Sequence, residues 1–106
     1  MGDLPERGRF AEPSLLILVS LSDGPKHGYA LMLDVETATG RPIGPGTLYA
    51  ALARLEEAGL IEALPPVDRR RPYRLTGAGR TTLEHQLREM STFAEAALQR
   101  LGGAAR

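Results

Sequence analysis

The sequence predicts a mainly α-helical chain that carries one small β-hairpin and a long C-terminal helix, and three observations support this fold class. A helix with a marked start and a marked stop occupies the middle of the chain, between Gly44 and Gly59. Two short apolar runs separated by a turn follow it, within residues 60–76. Beyond residue 80, apolar residues recur at heptad spacing. The 106 residues suffice for one domain with a modest core.

The composition excludes several kinds of site and leaves the partner open. There is no cysteine, so disulfides, thiolate metal sites and cysteine nucleophiles are excluded. The formal net charge is zero, but five of the 13 basic residues fall within positions 69–80, which contain no acid. A chain of neutral total charge can therefore still present one positive edge. The apolar run Leu15–Val19 is too short to span a bilayer, so we expect a cytoplasmic protein.

The N-terminal part of the chain predicts an arm followed by two helices. Residues 1–12 contain glycine, proline and mixed charges without periodicity, which is typical of a flexible arm. A first helix begins near Pro13 and ends before Asp23. It is apolar on nearly every side and so must be covered on more than one face, for which a second subunit is the natural source. A second helix covers about Tyr29–Thr39, with a core stripe made of Leu31, Val35 and Ala38.

The central helix has distinct signals at both ends and on both faces. Pro45 suits the first helical position after an N-cap at Gly44, and Gly59 suits a left-handed stop. One face is apolar and should be buried, through Leu48, Ala51, Leu52 and Leu55. The opposite face carries unusually small side chains for a solvated surface, apart from one guanidinium. Its residues are Gly46, Thr47, Ala50, Ala53 and Arg54, with Tyr49 on its flank. Such a face can lie against something flat or grooved; the alternative is an alanine-rich core helix of a small bundle.

The region after this helix predicts a β-hairpin with a basic tip. Residues 60–64 and 72–76 suit two strands, and the prolines and arginines between them suit a turn. Pro72 cannot donate to a β-ladder and so suits an edge position. The tip carries Arg69, Arg70 and Arg71, which either contact phosphate groups or form a solvated loop. Three helices and this hairpin together outline a winged helix-turn-helix, which we assign to residues 13–76.

The final helix, with Thr76 as its expected cap, combines with the first helix in a predicted dimer interface. We assign residues 77–106 to this dimerisation helix, whose apolar positions are spaced by 4, 3, 4, 3 and 4 residues. A helix that folds back on its own domain is the alternative, but the all-round apolar first helix favours a self-complementary surface. The expected dimerisation residues are Leu15, Leu18, Leu83, Leu87, Met90, Ala94, Ala97 and Leu101.

No constellation of residues in the sequence predicts catalysis. The two histidines, His27 and His85, lie far apart, and Glu56 and Glu57 are adjacent on a helix and point in different directions. The glycine-rich segment at residues 44–46 is not followed by the Lys-Thr/Ser of a phosphate-binding loop. We therefore expect a protein that is not an enzyme and that needs neither a metal nor another cofactor.

Three motifs together resemble the PadR-like transcriptional regulators. The segment from Leu16 to Tyr29, with Gly-Pro-Lys-His-Gly-Tyr at its end, looks like the first part of that family. The run Gly-Pro-Gly-Thr-Leu-Tyr at residues 44–49, followed by Gly-Leu-Ile at 59–61, is similar to its recognition helix. Arg70-Arg71 with the segment 73–80 matches its wing and the exit from the wing. These motifs occur in order over about residues 15–80, and the single C-terminal helix resembles the short branch of the family.

This resemblance implies a homodimeric repressor that binds a pseudo-palindromic operator in double-stranded DNA and is relieved by a small hydrophobic or aromatic effector. The start of the central helix would enter the major groove, with Thr47, Tyr49 and Arg54 closest to the bases or flanking phosphates. Lys26 and Tyr29 would reach the DNA backbone. The three arginines of the wing, Arg69, Arg70 and Arg71, would contact phosphates or the adjacent minor groove.

Two alternatives stay open at this stage. In one, the same fold is a protein–protein interaction module without DNA binding, and the bare helix face packs on a partner protein. In the other, ligand sensing is primary, and an apolar cavity at the dimer interface holds the effector. The residues expected around such a pocket are Met32, Leu33 and Phe93, with Leu15 and Met90 beside them.

Overall fold

The computed structural model of the chain describes residues 12–104 and confirms the predicted fold class. Nearly all of the predicted arm, residues 1–11, lies outside the described residues, as do residues 105 and 106. No helix in the described part is both long and apolar enough to cross a membrane. The elements are α1 (Pro13–Ser20), a 3₁₀ turn (Leu21–Asp23), β1 (Lys26–His27), α2 (Gly28–Thr39), α3 (Pro45–Glu57), β2 (Ile61–Ala63), β3 (Pro72–Leu75) and α4 (Gly77–Ala104).

The helix ends follow the capping signals of the sequence. Pro45 opens α3 behind an extended Gly44, and Gly59 follows the helix with a φ of 78°. That positive φ is accessible to glycine without the steric cost that other residues meet. The Thr76 hydroxyl accepts a hydrogen bond of 3.0 Å from the Gly79 N–H and donates one of 2.7 Å to the Gly59 carbonyl. The predicted caps of α3 and α4 are therefore confirmed.

The small sheet has three antiparallel strands in the order β1-β3-β2. Tyr73 lies opposite Lys26 on one side and opposite Ala63 on the other, so β3 is the central strand. The edge position predicted for Pro72 is wrong, because the two-residue strand β1 pairs with β3 on its outer side. Pro72 is tolerated there as the first residue of its strand, and its carbonyl accepts a hydrogen bond of 2.8 Å from the Leu64 N–H.

The core lies between α1, α2, α3 and the inner face of the sheet. The predicted stripe of α3 is buried, with Leu48 and Leu52 each 1% exposed, and full burial of one such side chain stabilises the fold by about 1.5–3 kcal/mol. Ala38, expected in the stripe of α2, is exposed instead, since the core ends near Val35 and the last turn of the helix extends beyond it. The buried apolar residues are Ile17, Leu18, Leu21, Leu31, Val35, Leu48, Ala51, Leu52, Leu55, Ile61, Leu75 and Leu83.

The apolar helix α1 is largely covered within a single chain, because α2, α3 and α4 all pack against it. Leu18 is 3% exposed and Leu83 is 5% exposed. The side chains of these two predicted dimerisation residues belong to the core of one chain and leave almost no surface for a partner. The rest of α4 projects from the body, and the described chain measures 59 × 30 × 21 Å along its principal axes.

Candidate nucleic-acid interface

The outward face of α3 is open to solvent in the described part of the chain. Gly46, Thr47, Ala50, Ala53 and Arg54 are all exposed. Because the opposite side of the helix is packed into the core, α3 presents this face outward. The small side chains allow a close approach to a flat or grooved surface, and the only formal charge on this face is the guanidinium of Arg54.

Tyr49 projects from the same helix, and its phenol ring lies against the start of α2. A Cβ atom on Gly28 would collide with its phenol oxygen, so the absence of a side chain at residue 28 gives the ring its place. The ring is still 52% exposed. Tyr49 therefore joins the two helices of the helix-turn-helix while its outer edge stays available to a ligand.

The hairpin between β2 and β3 forms a narrow projection, which we call the wing and define as residues 64–71. At its tip, Val67 and Arg70 exchange two backbone hydrogen bonds of 2.7 and 2.9 Å. The two residues between them, Asp68 and Arg69, both have positive φ, 52° and 68°. This is the signature of a type I′ turn, whose twist matches that of the flanking strands. The turn therefore places the Arg69 side chain at the outermost point of the wing.

The three wing arginines differ in their attachment to the body. The Arg71 guanidinium donates a hydrogen bond of 3.2 Å to the Leu64 carbonyl, and the Arg70 Nη1 lies 3.3 Å from the His27 Nε2. Arg69 has no ion-pair partner within residues 12–104. All three side chains are exposed. The wing therefore presents one cation at its tip and two along its flank, with the flanking pair held in fixed directions.

The ammonium group of Lys26 is paired with acidic groups of the protein itself. It lies 2.5 Å from the Asp23 carboxylate and 3.8 Å from that of Asp34, and it also donates to the Ser20 carbonyl. The hydrogen bond and the charge of Lys26 lower the pKa of the Asp23 carboxyl below its ordinary value of 3.8. The predicted role of Lys26 on the DNA backbone is not supported by this placement, because its charge is already paired.

Tyr29 and Tyr73 occupy contrasting environments on either side of the interface. Tyr29, in the first turn of α2, is 57% exposed. Tyr73 is half-buried, and burial raises the pKa of its phenol above the ordinary value of 10, with smaller contributions from the charges of Glu56 and Tyr49 and an opposing one from Arg71. Tyr73 thus packs against the core, whereas Tyr29 is exposed.

His27 is a feature of this surface that the sequence did not reveal. Its side chain caps α2 by accepting a hydrogen bond of 3.4 Å from the Ala30 N–H, although histidine is not among the preferred N-cap residues. A groove of about 500 Å³ opens beside it, lined by His27, Val67, Asp68, Arg70 and Pro72. The only signal in the sequence was the adjacency of Lys26, His27 and Gly28 to the start of a helix.

The predicted dimerisation residues beyond the core lie along the projecting part of α4. Leu87 is 42% exposed and Leu101 67% exposed, Ala94 is exposed, and Met90 and Ala97 are partly covered. Phe93 and Leu98, on the flanks, are 75% and 66% exposed. Leu15, on α1, is partly buried against the core. This part of α4 is an apolar ridge that one chain leaves uncovered.

The three residues expected around an effector pocket are not enclosed by the single chain. Met32 is partly buried against the core, whereas Leu33 is 45% exposed and Phe93 lies on the projecting part of α4. A closed apolar site that includes them requires a second chain.

Known proteins resemble this chain in both sequence and fold. A family model described as the PadR-like family of transcriptional regulators matches residues 17–85. An uncharacterised 37.1 kDa protein in transposon Tn4556 of Streptomyces fradiae is 45% identical over 83 residues, which are 78% of this chain and 24% of that protein. The chain therefore spans about a quarter of the length of this relative.

Two further relatives match most of both chains. Transcriptional regulator Rv3488 of Mycobacterium tuberculosis is 38% identical over 92 residues, which cover 84% of this chain and 82% of that protein. The crystal structure of a PadR family transcription regulator from Clostridium difficile R20291 has a TM-score of 0.76 at 26% identity. That superposition covers 84% of this chain and 97% of the other.

Proposed function

The chain belongs to the PadR-like family of transcriptional regulators, and from this premise we propose that it is a homodimeric repressor bound to an operator in double-stranded DNA. It is a regulator and not an enzyme, as are the proteins of its family. In this proposal, residues 13–76 bind DNA, residues 77–106 make the dimer, and a small hydrophobic effector relieves repression. The protein acts in the bacterial cytoplasm, where the chromosome is.

The observation that carries the proposal is that one small body exposes both the bare face of α3 and the three arginines of the wing. The major groove of B-DNA is wide enough for one helix, and the small residues of this face let the backbone of α3 approach the base edges. In this arrangement Thr47, Tyr49 and Arg54 face the bases and flanking phosphates. Base contacts supply discrimination between sequences.

The wing supplies most of the affinity in this proposal. Arg69, Arg70 and Arg71 contact phosphates or the neighbouring minor groove, and each neutralised phosphate releases condensed counterions. The affinity therefore falls steeply with salt. Tyr29, exposed at the start of α2, adds a hydroxyl donor to the backbone contacts.

The apolar ridge of α4 supports the dimer. Its exposed residues Leu87, Ala94 and Leu101 follow the heptad repeat, with Phe93 and Leu98 exposed on the flanks, and two such ridges related by a two-fold axis would cover each other. Two-fold symmetry implies a pseudo-palindromic operator whose half-sites lie about 34–36 Å apart, one helical turn of DNA. The effector would bind where Met32, Leu33 and Phe93 meet residues of the second chain.

The proposal is tested with a duplex from the region upstream of the protein's own gene, by fluorescence anisotropy over a series of NaCl concentrations. The wild type should bind with a steep linear dependence of log K on log salt concentration. Arg71→Ala should weaken binding to every sequence and flatten that slope by about one unit. The matched control is Arg88→Ala on α4, whose guanidinium pairs with Glu84 at 2.7 Å and which should leave the slope unchanged.

Different outcomes of this experiment contradict different parts of the proposal. An unchanged slope for Arg71→Ala removes Arg71 from the phosphate contacts but leaves the other wing arginines in place. Absence of any salt-dependent DNA affinity in the wild type overturns the DNA-binding role and favours a protein–protein interaction module. An effector role fails if a broad panel of hydrophobic and aromatic compounds leaves the operator affinity unchanged.

A further inference from the structure

The His27 side chain connects the body of the protein to the wing. His27 pairs with Pro72 in the sheet, which brings its ring next to the base of the wing. The Nδ1 atom accepts from the Ala30 N–H at 3.4 Å, and the Nε2 atom lies 3.3 Å from the Arg70 Nη1. One imidazole therefore faces two N–H groups, one on each ring nitrogen.

Neither neutral tautomer of His27 satisfies both of these neighbours. A neutral imidazole has one N–H donor and one acceptor nitrogen, and a guanidinium has donors only. If Nδ1 accepts from Ala30, then Nε2 carries the proton and its N–H faces the N–H of Arg70. If Nε2 accepts from Arg70 instead, the cap of α2 is lost. With the cap intact, the Nε2–H of His27 and the N–H of Arg70 are two neighbouring donors that a single acceptor in the groove would satisfy.

Within the described residues, neither of these two donors has an acceptor. Asp68 also lines the groove, but its carboxylate makes no ion pair with Arg70 or with another described cation. The remaining lining residues, Val67 and Pro72, are apolar and offer no side-chain acceptor. Arg69, at the tip of the wing, adds a second positive charge nearby.

We propose that His27 and Arg70 form a clamp for one phosphodiester oxygen of the DNA backbone. This inference rests on the proposed DNA-binding function and adds a residue and a position to it. One phosphate oxygen would accept from the Nε2–H of His27 and from the guanidinium of Arg70, and hydrogen bonds to a charged oxygen are the strong ones. Because His27 belongs to the body and Arg70 to the wing, the same phosphate fixes the angle of the wing on the DNA.

The variant His27→Asn separates the cap from the clamp. Asparagine is among the best N-cap residues, so α2 keeps its cap and the free energy of unfolding should not fall. Its side chain is too short to reach the place of Nε2. We expect the operator affinity to fall about tenfold, as loss of a hydrogen bond to a charged group implies. The matched control is His85→Asn on α4, which should bind the operator as the wild type does.

A double-mutant cycle tests whether the two residues hold the same phosphate. Arg70→Ala should weaken binding by itself, and His27→Asn should then cost little more in the Arg70→Ala background. A duplex series in which single phosphates are replaced by neutral methylphosphonates should identify one position at which the wild type loses affinity and the double variant loses none. Full additivity of the two substitutions, or wild-type affinity of His27→Asn, overturns the clamp.

These results distinguish the clamp from the function on which it rests. If the wild type binds the operator with a steep salt dependence while His27→Asn binds equally well, only the clamp fails. If the wild type shows no operator binding, both fail. The rival ligand is a free anion, and inorganic phosphate is the probe for it. A change in the chemical shifts of the His27 side chain that saturates at micromolar phosphate would assign the site to a free anion and overturn the DNA assignment.

Discussion

At the scale of single residues, the missing side chain of Gly28 places Tyr49. Because the phenol of Tyr49 lies where a Cβ on residue 28 would be, the ring bridges the first turn of α2 and the first turns of α3. An exposed tyrosine free to rotate would lose conformational entropy on binding. The contact with Gly28 already restricts the Tyr49 ring in the free protein. In the proposed DNA complex, Tyr49 should therefore lose less conformational entropy than other tyrosines of similar exposure.

The left-handed backbone at the wing tip gives a prediction for Arg69. A non-glycine residue at positive φ costs about 1–2 kcal/mol, partly offset in a glycine variant by the greater entropy that glycine loses on folding. Arg69→Gly should therefore raise the free energy of unfolding by about 0.5–1 kcal/mol while it weakens DNA binding. Urea unfolding and operator titration measure the two effects separately.

Arg71→Gly is the matched control, because it also removes one wing guanidinium. Residue 71 is not among those with positive φ, so this variant should bind DNA more weakly without gaining stability. An equal gain in both variants, or no gain in Arg69→Gly, would show that the turn geometry is not the source of the effect.

At the scale of elements, the start of α4 depends on a close contact between two backbones. A Cβ atom on Gly79 would overlap the Leu60 carbonyl and touch the Leu75 side chain, so α4 packs directly on the residues that follow α3. The Thr76 hydroxyl strengthens the same junction through its bonds to Gly79 and Gly59. The orientation of α4 relative to the winged-helix body is therefore determined within one turn of the helix.

We predict that Gly79→Ala lowers the free energy of unfolding by about 1–3 kcal/mol, the usual cost of an overpacked site whose neighbour cannot move. The control is Gly102→Ala, in the exposed last part of α4, where a Cβ meets nothing within 4 Å. That variant should be neutral or more stable by up to about 1 kcal/mol, since alanine is the better helix former. Thermal unfolding of both variants checks the contrast, and equal stabilities would contradict the close contact.

At the scale of the whole molecule, the projecting part of α4 is the feature that a single chain leaves incomplete. Leu98 and Leu101 are both about two-thirds exposed, so their replacement should disturb the fold of one chain very little. In the proposed dimer they are covered by the partner helix. Substitutions on this ridge therefore separate dimerisation from folding.

We predict that Leu98→Asp combined with Leu101→Asp gives a monomer in sedimentation velocity and a large loss of operator affinity, since buried like charges would oppose association. The charge-matched control combines Thr92→Asp with Gln99→Asp on the opposite face of the helix, and it should remain a dimer. Circular dichroism should show both variants folded. A dimeric Leu98/Leu101 variant would place the interface elsewhere.

The sequence alone predicted the features that depend on neighbouring residues along the chain, and it did not predict those that depend on distant ones. Pro45, Gly59 and Thr76 act on their own helix ends, and the stripe Leu48, Leu52 and Leu55 follows the helical period, so the limits and burial of α3 were predictable and are confirmed. The pairing of β1 was not, because two residues show no periodicity. The ion pairs of Lys26 and the burial of Leu18 were not predictable, since both depend on neighbours brought in by the fold.

The amino-acid sequence by itself determined the helices, the hairpin and the family of this protein, because caps, turns and periodic stripes act over a few residues. The tertiary structure alone decided which apolar residues of α1 and α4 are covered within one chain and which are left exposed. It also decided that β3 is the central strand and that His27 meets Arg70, 43 residues away along the chain. Such contacts arise only when the packed core brings distant segments together, so no local pattern records them.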